Sequence, residues 1–292
     1  MAYFLELLIN GALTGLMYSL VALGFVLIYK SAGVPNLAQG AVVMTAGYAV
    51  WLFMDLGLPV WAAIPAGMAV MFALGLVVER WLLRRMVGQP IIMIVMLTLG
   101  LDILLRGLVP GLLGTTPKPL DLGIDFAPVI LGDVFINRTY LYGGAVALLL
   151  VGAALLFFRT PLGTKLRAVS DDHISSWAVG ISVERAIGIS WGLAGATAVV
   201  AGTLWGSAQG VDWTLSTLLF PAVAVVILGG LDSIPGVLVG GLLVGILGAV
   251  IPGYLDSLVG GGTRDVVTSL IILLTIMVRP HGFFGREDIE RI

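Results

Sequence analysis

The sequence predicts an all-α integral membrane protein: a polytopic helical bundle of about eight to nine membrane segments with broken or re-entrant helices. Three observations predict it. Of 292 residues, 59% are hydrophobic and only 11% are charged, whereas soluble globular chains carry about a quarter charged residues. The mean hydropathy is +1.09, so lipid must act as part of the solvent. The apolar residues come in long continuous runs, unlike the short dyad alternation of barrel strands. The length suits roughly eight to ten spans of about 20 residues with short loops. Residues 1–292 are therefore expected to form a single transmembrane domain with no room for a large soluble one.

The runs can be taken in order. The first starts almost at Met1 and continues to Tyr29. It lacks a basic N-terminal region and is too long for the apolar core of a signal peptide, so it is read as the first helix. A Gly/Pro-broken polar stretch, Lys30 to Gly40, follows. Apolar runs then cover about Ala41 to Met54, Val60 to Val78 and Pro90 to Val109. Pro110 to Tyr140 is the longest polar stretch. The second half carries runs near Leu141 to Phe158, Ala186 to Gly206, Leu215 to Leu231, Val237 to Ile251 and Val266 to Val278.

Basic residues set the orientation. Arg80, Arg84 and Arg85 share one loop, and Arg159, Lys165, Arg167 and Arg185 another. Arg279, Arg286 and Arg291 sit in the tail. The positive-inside rule places all three in the cytoplasm, with the C-terminus, and leaves Pro110 to Tyr140 outside. The N-terminus is outside if nine runs span and inside if one is re-entrant. The two short runs, after Gly40 and after Gly236, are the candidates for re-entrance.

The composition excludes several functions. Cysteine is absent, which removes disulfides, thiolate metal sites and cysteine nucleophiles. His173 and His281 lie too far apart in sequence to suggest a ligand pair, and a net charge of -2 argues against nucleic-acid binding. The sequence has no HExxH, GxSxG or phosphate-cradling P-loop, so it is expected to be neither an enzyme nor an ATP binder by that route.

Four features carry the functional reading. GVPNLAQG, Gly33 to Gly40, joins a helix-breaking Pro35 to the amides of Asn36 and Gln39. It is either a surface turn or a broken helix lining a path. GGLDSIPG, Gly229 to Gly236, interrupts two apolar runs, and Gly236, Gly240 and Gly248 after it read as one close-packing stripe. Asp102 and Arg106 are one turn apart and are expected to pair near the external end of their run. The loop Arg159 to Ile181 places Leu162, Leu166 and Val169 at spacings near one turn, which suits a cytoplasmic helix docking into a partner. These residues leave a channel subunit, an intramembrane enzyme and an ion-coupled secondary transporter of small solutes as rival classes. Asp102 is the candidate coupling carboxylate for the last.

Together these blocks resemble the branched-chain amino acid ABC importer permeases, specifically the LivH-type subunit. The resemblance rests on Asn10 to Tyr29, GVPNLAQG with Gly47-Tyr48, the set Gly163, Arg167, Asp172 and Gly180-Ile181, Ile227 to Gly245, and RPHGFFG at Arg279 to Gly285. The sequence departs from the family at Ser175-Ser176-Trp177 and at Ala41. The resemblance implies a bacterial cytoplasmic (inner) membrane protein moving branched-chain amino acids, urea, amides or another small polar solute by alternating access. It implies a second LivM-type permease, two ATPase subunits that bind the ATP, and a periplasmic or extracellular solute-binding protein.

On these grounds Asn36, Gln39, Gly40, Gly229, Gly230, Ser233, Pro235 and Gly236 are expected along the substrate pathway. Gly163, Arg167, Asp171, Asp172 and Gly180, within 159–185, are expected to couple to the ATPase. The cavity is expected to bind weakly and to be lined by Gly, Ala, Ser and amide groups.

Overall fold

The computed structural model describes residues 1–285 apart from Val87 and Phe126, so Arg286 and Arg291 of the basic tail lie outside the described residues. The helices are α1 (Ala2–Ala32), α2 (Gln39–Asp55), α3 (Val60–Trp81), α4 (Ile91–Leu113) and α5 (Arg138–Phe157). Then come α6 (Pro161–Asp171), α7 (His173–Ala178), α8 (Val183–Gln209), α9 (Leu219–Gly229), α10 (Ile234–Val259) and α11 (Thr263–Val278). Short 3-10 turns occupy Leu83–Met86 and Trp213–Leu218. The long polar stretch contains an antiparallel hairpin, β1 (Val129–Leu131) and β2 (Val134–Ile136), with Val129 opposite Ile136.

Among the described residues, six helices are long and apolar enough to cross a membrane: Ala2–Ala32, Val60–Met86, Ile91–Leu113, Arg138–Phe157, Val183–Gln209 and Ile234–Val259. Three further apolar segments are shorter: α2 with 17 residues, α11 with 16, and Trp213–Gly229. Eight or nine segments would require two or three of these to span as well. One expected short run is corrected. The run after Gly236 belongs to a helix of 26 residues, because Pro252 is held inside α10 and the helix stops only at Gly260 in the left-handed conformation. Pro110 likewise lies inside α4. Interior prolines are tolerated in membrane helices when neighbours satisfy the freed carbonyl.

The chain forms two compact units. One comprises 1–22, 124–151 and the chain from 220 on; the other comprises 23–123 and 152–219. In the first unit, α10 meets three neighbours through glycine. A Cβ on Gly15 would strike the carbonyl oxygen of Gly241, and one on Gly245 that of Gly11, so α1 and α10 cross backbone to backbone. Gly236 and Gly240 face the carbonyls of Gly229 and Val225 in α9. Gly248 faces α11, where Arg264 Nε donates to its carbonyl at 3.1 Å. The single stripe expected of Gly236, Gly240 and Gly248 is thus divided. At 3.6 residues per turn, Gly248 lies about a third of a turn away from Gly236 around the axis. Ser19 Oγ, which donates to Val237 O at 2.9 Å, adds a polar clasp to the α1–α10 contact.

In the second unit, α8 packs against α3 and α2 by the same device. A Cβ on Gly195 would lie 2.5 Å from Met71 O, and one on Gly202 would lie 2.5 Å from Val43 O. Lys118 and Val211 exchange backbone hydrogen bonds at 2.9 Å each, and Lys118 Nζ lies 4.7 Å from the centre of the Trp51 ring. The close approaches predict unequal tolerance of bulk. Gly15→Leu should destabilise the protein by about 2 kcal/mol or more through overpacking, while Gly152→Ala, which meets open space, should be neutral or slightly stabilising. Thermal unfolding of the two detergent-solubilised variants checks this.

Candidate functional site

The elbow between α1 and α2 is the most elaborated polar feature of the second unit. Pro35 prevents the helix from continuing, and Gly33 takes a left-handed φ of 67°, so the chain reverses within a few residues. The break leaves the amides just before α2, those of Leu37 and Ala38, without intrahelical partners. They find side chains instead. Ala38 N donates to Asn36 Oδ1 at 3.0 Å, and Leu37 N donates to Thr98 Oγ1 of α4 at 3.2 Å. Asn36 Nδ2 donates to Gln39 Oε1 at 3.2 Å. Asn36 and Gln39 are fully buried, at 1% and 0% exposure. The two amide side chains of GVPNLAQG are therefore packed inside the protein and not on an exposed surface turn.

The depth of the elbow follows from what it touches. A Cβ on Gly24 would collide with Gln39 Nε2, with Thr197 Oγ1 of α8 3.4 Å away. Gly24 lies eight residues, about 12 Å, inside the end of α1, and Thr197 lies near the middle of α8. The N-terminus of α2 therefore sits beside the interiors of long helices. Gly40 rests on the 3-10 turn before α9, where a Cβ would strike Ser216 O. Gln39 Nε2 has no hydrogen-bond partner among the described residues, although it is buried.

Asp102 and Arg106 pair as expected, with Nε and Oδ2 2.9 Å apart. Their position is a correction. Asp102 is 6% exposed and α4 runs on to Leu113, so the pair is inside the helix rather than at its end. Thr98 and Asp102 are one turn apart, and Thr98 contacts the elbow directly. Asp102 Oδ1 has no hydrogen-bond partner among the described residues.

The pathway candidates Gly229, Gly230, Ser233, Pro235 and Gly236 belong to the first unit, and Asn36, Gln39 and Gly40 to the second. In the first unit they form the α9–α10 turn. Ser233 caps α10, its Oγ accepting from Gly236 N at 3.1 Å, and Pro235 lies in the first turn. The backbones of Gly229 and Gly236 touch. Sequence reasoning missed what closes this turn. The tail motif folds back onto α9: Phe283 N donates to Leu228 O at 2.9 Å and Phe284 N to Gly229 O at 3.1 Å. Gly230 and Gly282, at φ 108° and 71°, make the close approach possible. The only available hint was the shared abundance of glycine in two separate motifs.

The loop 159–185 forms two helices rather than one. Thr160 caps α6, accepting from Gly163 N at 3.3 Å, and Gly163 is pressed against the backbone of Phe157 and Phe158. Leu166 and Val169 are buried, as their spacing predicted, while Leu162 is exposed. Arg167 Nη2 donates to Thr164 Oγ1 at 3.4 Å. Asp171 ends α6. Asp172 divides the helices and caps α7, accepting from Ile174 N at 2.8 Å, Ser175 N at 3.1 Å and Ser175 Oγ at 2.6 Å. Gly180, at φ 83°, follows α7. Ile174, Trp177 and Val179 are 80%, 62% and 74% exposed.

A cavity of about 600 Å³ opens in the second unit between this loop and the elbow. Its described lining includes Ile28, Ile94, Ile187, Trp191 and Thr98, with Asp171, Asp172 and Glu184. Ala32, Gly33, Gly88, Ser170 and the amide of Gln89 also line it, so bulky apolar, acidic and small residues are mixed in one lining.

The family described as "Branched-chain amino acid transport system / permease component" matches residues 7–278. The chain belongs to this permease family. It is 28% identical over 306 aligned positions, 99% of this chain and 98% of the relative, to the high-affinity branched-chain amino acid transport system permease protein LivH of Escherichia coli strain K12. It is 31% identical to a probable branched-chain amino acid transport permease protein LivH of Methanocaldococcus jannaschii, over 91% of this chain and 88% of that one. Among solved structures, PsaBC from Streptococcus pneumoniae in complex with Fab covers 96% of this chain and 93% of its own, with 18% identity and a TM-score of 0.47. The chain is thus an integral membrane permease of the ABC transporter class, as its motifs suggested.

The Asp102–Arg106 geometry predicts strong non-additivity. Arg106→Leu alone should cost about 2 kcal/mol or more by leaving the Asp102 carboxylate buried and unpaired. Asp102→Leu combined with Arg106→Leu should recover most of that loss. A double-mutant cycle on thermal stability measures the coupling.

Proposed function

We propose that this chain is the permease subunit of an ATP-driven importer that carries branched-chain amino acids, or a related small polar solute, across the inner membrane. The observation that carries this reading is the family match over 7–278 in a chain of long apolar helices. The curated relatives are permease proteins of branched-chain amino acid transport systems. Two ATPase subunits bind the ATP, a second LivM-type permease completes the translocating pair, and an external solute-binding protein supplies most of the affinity. The chain itself needs no cofactor and performs no chemistry on the solute. Alternating access follows from ligands that bind the two states differently.

On this reading α6 and α7 are cytoplasmic and dock into an ATPase, and the C-terminal side of the chain is cytoplasmic as well. Gly163 and Gly180 fix the backbone at either end, and Asp171 and Asp172 shape the junction. Arg167 offers a charge to the partner, and the exposed Ile174, Trp177 and Val179 offer an apolar surface to be covered. Asn36, Gln39 and Gly40 border the path in one unit, as do Gly229, Gly230, Ser233, Pro235 and Gly236 in the other. The buried Nε2 of Gln39, without a hydrogen-bond partner among the described residues, supports this role. It could donate to a passing solute without breaking a protein hydrogen bond.

Reconstitution of the complete complex in proteoliposomes tests the proposal. Leucine uptake should require ATP and the binding protein, and should persist when ion gradients are collapsed. Asn36→Leu and Gln39→Leu complexes should assemble but lose uptake by about tenfold or more. Gradient-driven uptake without ATP, or ATP hydrolysis by this chain alone, would contradict the reading.

A further inference from the structure

The hairpin of the first unit, β1 with β2, is apolar on both faces. All its strand residues are apolar, whereas a sheet with one face in water alternates apolar and polar side chains. Ile136 is buried and Val129 and Val134 are half-buried, so their face packs onto the protein. Ile130 and Phe135 stand directly opposite each other on the other face and are 62% and 49% exposed.

Asn10 of α1 fixes the level of the hairpin along the helices. Asn10 Nδ2 donates to Phe135 O at 2.8 Å, and Asn137 N donates to Asn10 Oδ1 at 3.0 Å. The carboxamide thus meets two backbone groups two residues apart, as a neighbouring strand would, and closes the outer edge of β2. This level coincides with a membrane boundary. α1 carries no charged residue from Leu7 to Tyr29, and the chain carries none from Thr139 through α5 to Phe158. Asn10 to Lys30 is about 30 Å of helix, and the length of α5 is also about 30 Å, which matches a hydrocarbon core of about 30 Å. Two helices therefore place one boundary of the core at Asn10 and at Arg138, where the hairpin is held. Arg138 Nη1 pairs there with the exposed Asp125 Oδ2 at 3.0 Å. Below it, the exposed pairs Leu141 with Leu148 and Tyr142 with Leu149 recur at two-turn spacing, so an apolar face runs up α5 to the residues that follow the hairpin.

We propose that the β1–β2 hairpin is seated in the membrane surface, with Ile130 and Phe135 inserted among the headgroups and upper acyl chains of the lipid. The partner is the phospholipid layer itself, met by apolar burial rather than by charge. Open sheet edges are excluded from the hydrocarbon region. The hairpin accordingly lies at its boundary, where water still reaches the free edge of β1 and the exposed turn at Gly132 and Asp133. On the orientation proposed above, this is the external leaflet. The hairpin then ties the entries of α1 and α5 to the bilayer, and its outward face is not a platform for the solute-binding protein.

The full chain reconstituted in phosphatidylcholine vesicles tests this, since it has no native cysteine. Phe135→Cys and Ile130→Cys are each labelled with an environment-sensitive fluorophore. A lipid carrying a nitroxide near its headgroup should quench either label about fivefold more strongly than a label at Asp121→Cys, and aqueous iodide should show the reverse order. A label at Leu149→Cys, about 16 Å along α5 from Arg138, should respond to a nitroxide deep in the acyl chain. Iodide quenching at Phe135 and Ile130 as strong as at Asp121, with Leu149 quenched by lipid, overturns the seated hairpin and leaves the span of α5 intact. Protection from iodide that appears only when a solute-binding protein or a second permease chain is added also overturns it, because the cover is then protein. A label at Leu149 open to iodide overturns the membrane boundary and the proposal with it.

Discussion

The elbow between α1 and α2 buries backbone amides and two carboxamides among apolar helices, where each unmet donor or acceptor costs about 1–3 kcal/mol. Water cannot serve as the default partner in such surroundings. The rest of the second unit is arranged around that demand. Thr98 must face Leu37 N, which fixes the rotation of α4 and sets Asp102 one turn further along. Gly24 must lack a side chain so that the Gln39 amide fits against α1. Pro35 removes one amide that would otherwise need a partner. A broken helix within a bundle is affordable only because its neighbours carry these complementary groups.

Glycine meets a second demand, that of packing without a hydrophobic driving force between helices. In lipid, association depends on close van der Waals contact and on hydrogen bonds across the interface. Backbone contacts such as Gly15 on Gly241 bring helix axes nearer than any side chain would permit. They also let Ser19 reach Val237 O across the same seam. The α9–α10 turn uses the device at its extreme: facing glycines leave room for the tail, whose amides then satisfy the last carbonyls of α9.

Much of this was legible in the sequence. Continuous apolar runs gave the helices, because lipid permits little else. The Pro–Asn–Gln sequence marked the elbow, and the spacing of Leu166 and Val169 marked the buried face of α6. The errors share a cause. Pro110 and Pro252 were read as boundaries, yet both lie within helices, as membrane helices tolerate. The glycines of α10 were read as a single stripe because four-residue spacing was extended over too many turns. The pairing of the tail with Gly229 and Gly230 depends on residues over fifty positions apart, and no local pattern encodes it. The cavity draws its lining from four separate stretches, so it could not be assembled from spacing alone.

The central claim is that the elbow is a buried break in the bundle, its backbone amides met by side chains, rather than a solvent-exposed connection. Amide hydrogen exchange on the intact protein in nanodiscs tests it most directly. The segment 37–42 should exchange as slowly as the helical interior of α8, and Thr98→Val should accelerate exchange locally at Leu37. Exchange as rapid as that of the exposed turn at Asp121–Gly123, with no response to Thr98→Val, would contradict the account.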